Sequence, residues 1–196
     1  MFMETTDKSL IDAHLGGDES AFAELVNRYG DGMLGYLTKI CGNRPQAEDF
    51  FQETFKRVHE KANTFRGGNF KSWLYTIATR VAFDTFRRKR LKFISLNSMS
   101  DANSEASDIS ANCVDGNCPD PHKELEKAEI KAKVRNALSK LPHKQRTTVV
   151  LAYYEKLTYA QVAEVLDCSI GTVKTQMFRA MKKLAIHLPE FSGGVQ

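Results

Sequence analysis

Residues 158–188 read TYAQVAEVLDCSIGTVKTQMFRAMKKLAIHL, and this stretch decides the fold. Two helical patterns meet in it at a very short join. Leu157, Val162, Ala163 and Leu166 recur at the spacing of one helix face. Ile170, Val173, Met177, Ala180, Met181 and Leu184 do the same on a second helix. Only Asp167, Cys168 and Ser169 lie between them. So short a join makes the helices cross steeply, as in a helix-turn-helix. Ala163 is small where the two must approach. Asp167 tolerates a left-handed turn position, and Ser169 can cap the second helix through its hydroxyl.

The outward face of that second helix carries Lys174, Thr175, Gln176, Phe178, Arg179, Lys182 and Lys183, with no acid. A basic helix face taken alone is an ordinary solvated surface. Behind a helix-turn-helix join it points to DNA, because a helix whose back packs on its domain can lay its front in the major groove.

Working outward, charge is unevenly spread along the 196 residues. The net charge is only +4, but residues 101–130 hold eight acids against two bases, and residues 131–187 hold eleven Lys or Arg against three acids. A second basic cluster, Arg87, Arg88, Lys89, Arg90 and Lys92, ends an earlier segment. Two basic surfaces on either side of an acidic connector suggest two polyanion contacts. No apolar run approaches membrane-spanning length, and the opening MFMETTDKSL lacks the pattern of a signal peptide. A cytoplasmic location without membrane insertion is expected. The four cysteines are scattered, which fits a reducing compartment. Cys113, Cys118 and His122 approach a ligand-like spacing but lack a fourth partner, so they read as linker residues, and no metal or other cofactor is expected.

From the amino end, Leu10, Ile11 and Leu15 make a short helical piece broken at Gly16 and Gly17. A longer helix begins near Glu19, with Phe22, Leu25, Val26, Tyr29, Met33, Leu37 and Ile40 on one face; Gly30, Gly32 and Gly35 weaken it and allow a break near Gly30. Pro45 suits the first turn of the next helix, whose inner face is Ala47, Phe51, Phe55, Val58 and Ala62. Its other flank carries Glu48, Asp49, Gln52, Glu53 and Lys56, by itself a solvated charged stripe. NTFRGGN, residues 63–69, reads as a loop, followed by a helix with Trp73, Leu74, Ile77, Ala78 and Val81 inside. Near that helix's end Phe83 and Phe86 interleave with Arg80, Arg87 and Arg88. This suits an opened nucleic-acid strand, and equally a core edge with a charged helix end. Residues 95–121, rich in Ser, Asn and Asp, read as a flexible acidic linker. Leu125, Ala128, Ala132, Val134, Ala137, Leu138 and Leu141 then make a helix, Pro142 opens another with Val149, Val150, Leu151 and Tyr154 apolar, and residues 191–196 form a tail.

Four motifs in this order resemble one family. GGDESAFAELVNRYG, PQAEDFFQETFKRVHEKANTFRGG, FKSWLYTIATRVAFDTFRRKR and LPHKQRTTVVLAYYEKLTYAQVAEVLDCSIGTVKTQMFRAMKKL together resemble the extracytoplasmic-function (ECF) sigma factors of bacterial RNA polymerase. The resemblance covers nearly the whole chain outside linker and tails. It implies that the flank bearing Asp49, Gln52 and Glu53 docks on the β′ coiled-coil of core polymerase, with further contacts to the β subunit. It implies that the loop Phe65, Arg66, Gly67, Gly68, Asn69 and Phe70 captures a flipped base of the −10 element. Arg80, Asp84, Arg87 and Arg88 would follow the upstream edge of that element, although Arg80 stands where the family often has Asn. Lys174, Thr175, Phe178, Arg179 and Lys182 would contact the −35 duplex. An anti-sigma partner is expected on the same grounds.

The expected fold is therefore all-α: two small helical domains joined by a flexible linker, the second a helix-turn-helix. Residues 1–94 form a region 2-like domain, 95–121 the linker and 122–190 a region 4-like domain. The expected function is promoter recognition and −10 melting, without enzymatic chemistry, since no nucleotide-binding glycine loop or nucleophile–base pattern occurs. The rival is a stand-alone helix-turn-helix regulator with an amino-terminal sensor or dimerisation domain; a sensor has no need of an FRGG loop before an Arg-rich helix.

Overall fold

The computed structural model describes the backbone of residues 5–96 and 121–188, and side chains over 5–89 and 126–188. Among the described residues every regular element is helical. The order is α1 (Asp7–Leu15), α2 (Glu19–Cys41), α3 (Arg44–Lys61), a 3-10 turn (Ala62–Thr64), α4 (Phe70–Leu96), α5 (Pro121–Ser139), α6 (His143–Val149) running into a π-turn (Val150–Tyr154), α7 (Tyr159–Leu166) and α8 (Ile170–His187). The described helices fall into two compact units, α1 to α4 in the first and α5, α6 and α8 in the second, while α7 is divided, its end at Glu164–Asp167 grouping with the first. Most of the expected linker lies outside the described residues, as do the side chains of Cys113, Cys118 and His122 and the expected tail at 191–196. No helix among the described residues is long and apolar enough to cross a membrane.

Local chemistry sets the helix ends in the first unit. Asp18 caps α2 by accepting from Ser20 N at 2.9 Å, and Gly42 ends it at φ 74°, a left-handed value that glycine takes without strain. Asn43 caps α3, accepting from Gln46 N at 3.2 Å, with Pro45 in the first turn. The break that the glycines of α2 allow does not occur. A Cβ at Gly30 would lie 3.6 Å from Phe51 Cζ, an ordinary van der Waals contact, so the glycine stands at the α2–α3 seam without the seam depending on it. Each helical glycine costs about 1 kcal/mol. Burying Leu25, Met33, Tyr36, Leu37 and Ile40 outweighs that, at about 1.5–3 kcal/mol for each large apolar side chain.

The core of this unit lies between α2, α3 and α4. One deep polar pair in it is satisfied: Tyr36 Oη and Thr79 Oγ1 share a buried hydrogen bond of 2.6 Å. Helix α1 docks on α2 through buried Leu10 and Ile11 and through Asp7, whose carboxylate accepts from Arg28 at 2.8 Å and from Tyr29 Oη at 2.7 Å. Burial first, and then this carboxylate, push the Tyr29 hydroxyl well above its ordinary value.

In the second unit Leu138, Leu141, Val149, Met177 and Ala180 form the core, with Val134, Ala152, Met181 and Leu184 packed around them. Arg146, only 7% exposed, donates from Nε to Leu138 O at 2.8 Å and from Nη2 to Leu141 O at 3.2 Å and to Ser139 O. Leu138 O also accepts from Leu141 N at 3.1 Å, and the guanidinium completes the capping of the carboxyl end of α5 and the turn after it. Two residues of the apolar patterns are exposed here, Ile170 against the expected inward face. Tyr154 is 43% exposed, because the π-turn bonds Glu155 N to Val150 O at 3.1 Å and so shifts the helical register by a residue. Ile170 is 45% exposed because it opens α8, one turn ahead of the residues that reach the core.

Candidate nucleic-acid and polymerase interfaces

Three faces carry the residues singled out from the sequence. On α3, Asp49 and Gln52 are exposed, while Glu53 is half-buried. Their spacing of three and four places them on one side of the helix. Glu53 already accepts from Arg57 Nε at 2.7 Å. Arg57 also lies 3.9 Å from Asp84 of α4, and Asp84 lies 3.8 Å from Arg87. A line of alternating charge thus runs from the α3 flank onto α4. Each exposed pair contributes a few tenths of a kcal/mol at most, so the line orients side chains more than it stabilises the fold.

The second face is the loop over 65–70 and the helix after it. Gly67 and Gly68 sit at φ +99° and +94°, conformations that L side chains avoid, which accounts for the glycine pair. Phe65 and Phe70 are 8% and 2% exposed and form a ring cluster with Trp73, centroids 5.3–5.6 Å apart, that Tyr29 extends at 5.2 Å from Phe70. The two phenylalanines are therefore the floor of the loop, and exposed Arg66 and Asn69 are its rim. Asn69 Oδ1 accepts from Ser72 N at 3.0 Å and so caps α4. Ser72 Oγ is buried at the foot of the loop and has no hydrogen-bond partner among the described residues. Along α4, Arg80, Arg87 and Arg88 are exposed and Asp84 is half-buried. The open alternative for the interleaved aromatics resolves toward packing: Phe86 meets Phe50 edge-on at 6.0 Å and Phe83 lies 6.4 Å from Phe86.

The third face is the helix-turn-helix. Asp167 takes φ 50°, Cys168 N donates to Ala163 O at 3.0 Å and Asp167 N to Glu164 O at 3.2 Å. This is the usual left-handed helix stop, with Asp in the place glycine commonly holds. Ser169 Oγ then accepts from Thr172 N at 3.1 Å and starts α8. Val173, Met177 and Ala180 are buried on one side of α8. Lys174, Thr175, Arg179 and Lys182 are exposed on the other, with Phe178 71% exposed among them. The face is cationic apart from that bare ring, and it stands clear of its own domain.

Sequence reasoning missed Arg57, Tyr29 as a contact of the loop, and Arg146. Nothing in the local pattern separates Arg57 and Arg146 from other surface-prone polar residues, and the period that places Tyr29 inward does not say which loop it meets. Among the described residues no three His, Cys, Asp or Glu side chains gather as a metal site.

Comparison with known proteins agrees with this arrangement. The family profile described as Sigma-70 region 2 matches residues 25–92, and Sigma-70, region 4 matches residues 131–184. The ECF RNA polymerase sigma factor SigW of Bacillus subtilis is 31% identical over 183 residues, covering 93% of this chain and 96% of that protein. The RNA polymerase sigma-H factor of Pseudomonas aeruginosa is 30% identical over 186 residues, covering 94% of each. Among solved structures, sigma factor RpoE from Bartonella quintana, in complex with the anti-sigma factor NepR, has a similar fold. Its TM-score is 0.68 at 20% identity, covering 86% of this chain and 96% of that one. CnrH, in complex with the cytosolic domain of CnrY, gives 0.65 at 22% identity, covering 95% and 99%. With two sigma-70 regions in order and relatives aligned end to end at this identity, the chain belongs to the ECF sigma factors of RNA polymerase.

Proposed function

We propose a division of the sigma factor's work among the three faces. The α3 flank, with Asp49, Gln52 and the Arg57-held Glu53, meets basic residues of the β′ coiled-coil of core polymerase. The loop over 65–70 takes an unpaired −10 base between its Arg66 and Asn69 rim and its ring floor. Extrusion into a pocket, rather than reading a duplex edge, suits a glycine loop that leaves room beside the backbone. Ser72 Oγ is a buried group that such a base could satisfy. Arg80, Arg87 and Arg88 follow the strand's phosphates. In the second unit α8 enters the −35 major groove, with Lys174, Thr175 and Lys182 on phosphates and base edges, Phe178 against apolar groove surface, and Arg179 on a base edge.

One observation carries this reading: the same chain holds an exposed cationic helix suited to closed duplex and a ring-floored glycine loop suited to a single base. Melting then needs no nucleotide hydrolysis, since capture of unpaired bases and contacts to polymerase offset the unstacking cost. The work is binding rather than chemistry, done in the cytoplasm. The two solved relatives in complex with partners, one of them a named anti-sigma factor, support a regulator of that kind for this chain as well.

Run-off transcription with purified core polymerase on a promoter library tests the assignment. The chain should redirect start sites, and Asp49→Lys should abolish competition for core without unfolding the protein. Normal competition by that variant would move the docking face elsewhere.

A further inference from the structure

Helix α1 lies outside the residues matched to region 2, which begin at 25. Yet it is built onto the loop. Asp7 holds Tyr29, and the Tyr29 ring packs on Phe70 at 5.2 Å. Leu10 and Ile11 are buried, at 6% and 0% exposure, so the helix is firmly seated. Lys8 projects from this seat toward the glycine pair: a Cβ on Gly67 would lie 3.7 Å from Lys8 Cδ and 3.8 Å from Cε. The aliphatic stem thus runs along the loop at the first of its two left-handed glycines. Its ammonium reaches back to Asp12 at 2.8 Å, with both side chains more than half exposed.

We propose that α1 is part of the single-strand surface, and that Lys8 holds a backbone phosphate of the strand whose base enters the loop. This rests on the reading of the loop as the site of base capture. The chemistry is that of a compact, mobile ammonium beside a loop read as receiving a nucleotide. The phosphate displaces Asp12, which costs little because an exposed i,i+4 pair is weak. The stem already lies against Gly67, and α1 fixes the distance.

Fork promoter DNA, single-stranded over −10 and taken from a promoter that the run-off assay selects, is bound to the holoenzyme reconstituted from core and full-length chain. Lys8→Gln should weaken binding about fivefold at 0.1 M salt and lower the salt slope by about 0.7, the value of one single-strand phosphate contact. Lys8→Arg should restore both, and Asp12→Asn should tighten binding by removing the competitor. Duplex carrying only the −35 element should be bound unchanged. Arg66→Ala serves as the reference variant. If it weakens fork binding while Lys8→Gln matches wild type in affinity and slope, the α1 proposal is wrong and the loop reading stands. If Arg66→Ala also has no effect, the loop reading fails and takes the proposal with it.

Discussion

The loop of the first unit and the exposed face of α8 both point to nucleic acid, but they are built in opposite ways. The loop's large residues are buried: Phe65, Phe70 and their ring neighbours shape a backbone that two left-handed glycines keep open. On α8 the working residues are exposed, and a strip of three, Val173, Met177 and Ala180, anchors them. A loop shaped for one extruded base needs a fixed floor, and here that floor, Phe65 and Phe70, also belongs to the core. A site for duplex needs a rigid rod with interchangeable tips. On the proposed function, binding and stability are therefore coupled in the first unit and separable in the second.

Substitutions can break that contrast, and the largest effect is expected at the loop floor. Phe70→Ala should cost about 3–5 kcal/mol by opening a cavity under the loop. The single tryptophan, Trp73, sits 5.6 Å away in the same cluster, so its fluorescence should follow the unfolding of this unit. Stability and fork-DNA binding should fall together; loss of one without the other would separate floor from site. Next, Arg146→Ala should destabilise the second unit by about 2–3 kcal/mol, since charge-assisted hydrogen bonds to buried carbonyls are among the stronger ones. The loss should appear in circular dichroism and leave the Trp73 transition in place.

A smaller effect, and one confined to DNA, is expected on α8. Arg179→Ala should lose about 1–3 kcal/mol at a −35 base pair, with stability unchanged to within about 0.5 kcal/mol and core polymerase still bound in a pull-down. A variant that lost stability as well would show that the rod and its tips are not separable after all. The smallest effect concerns Asp18. Hydrogen bonds from the Ser20 hydroxyl and then the Ser20 N–H hold its carboxyl below the ordinary carboxylate range. A carboxylate depressed in the folded state stabilises at neutral pH, and that contribution fades as pH falls through the acid range. Asp18→Asn should keep the cap and flatten this part of the acid denaturation curve, read by the Trp73 signal.

Much of the second unit was legible because its determinants are local. The join of Asp167, Cys168 and Ser169 has a spacing and chemistry that specify a stop, a cap and a crossing. The inward face of α8 came from period alone, except at Ile170, where the helix has not yet reached its core. The π-turn was not legible, since one extra backbone residue leaves no mark in an apolar run such as VVLAYY. In the first unit the helices were readable and their partners were not. Gly30 looked like a weakness and lies at ordinary contact distance from Phe51 of another helix, within an unbroken α2. The role of Phe65 and Phe70 as floor rather than rim, and the grip of Arg57 on Glu53, depend on side-chain contacts that no periodicity encodes.

Arg146 has a last consequence, for variation in this chain. It addresses main-chain oxygens at Leu138, Ser139 and Leu141, groups present whatever side chain stands there. The final turn of α5 can therefore drift in composition while keeping its anchor. An insertion or deletion of one residue between α5 and α6 would turn those oxygens away from the guanidinium and strand a charge in the core, so this junction should tolerate changes of identity far better than changes of length.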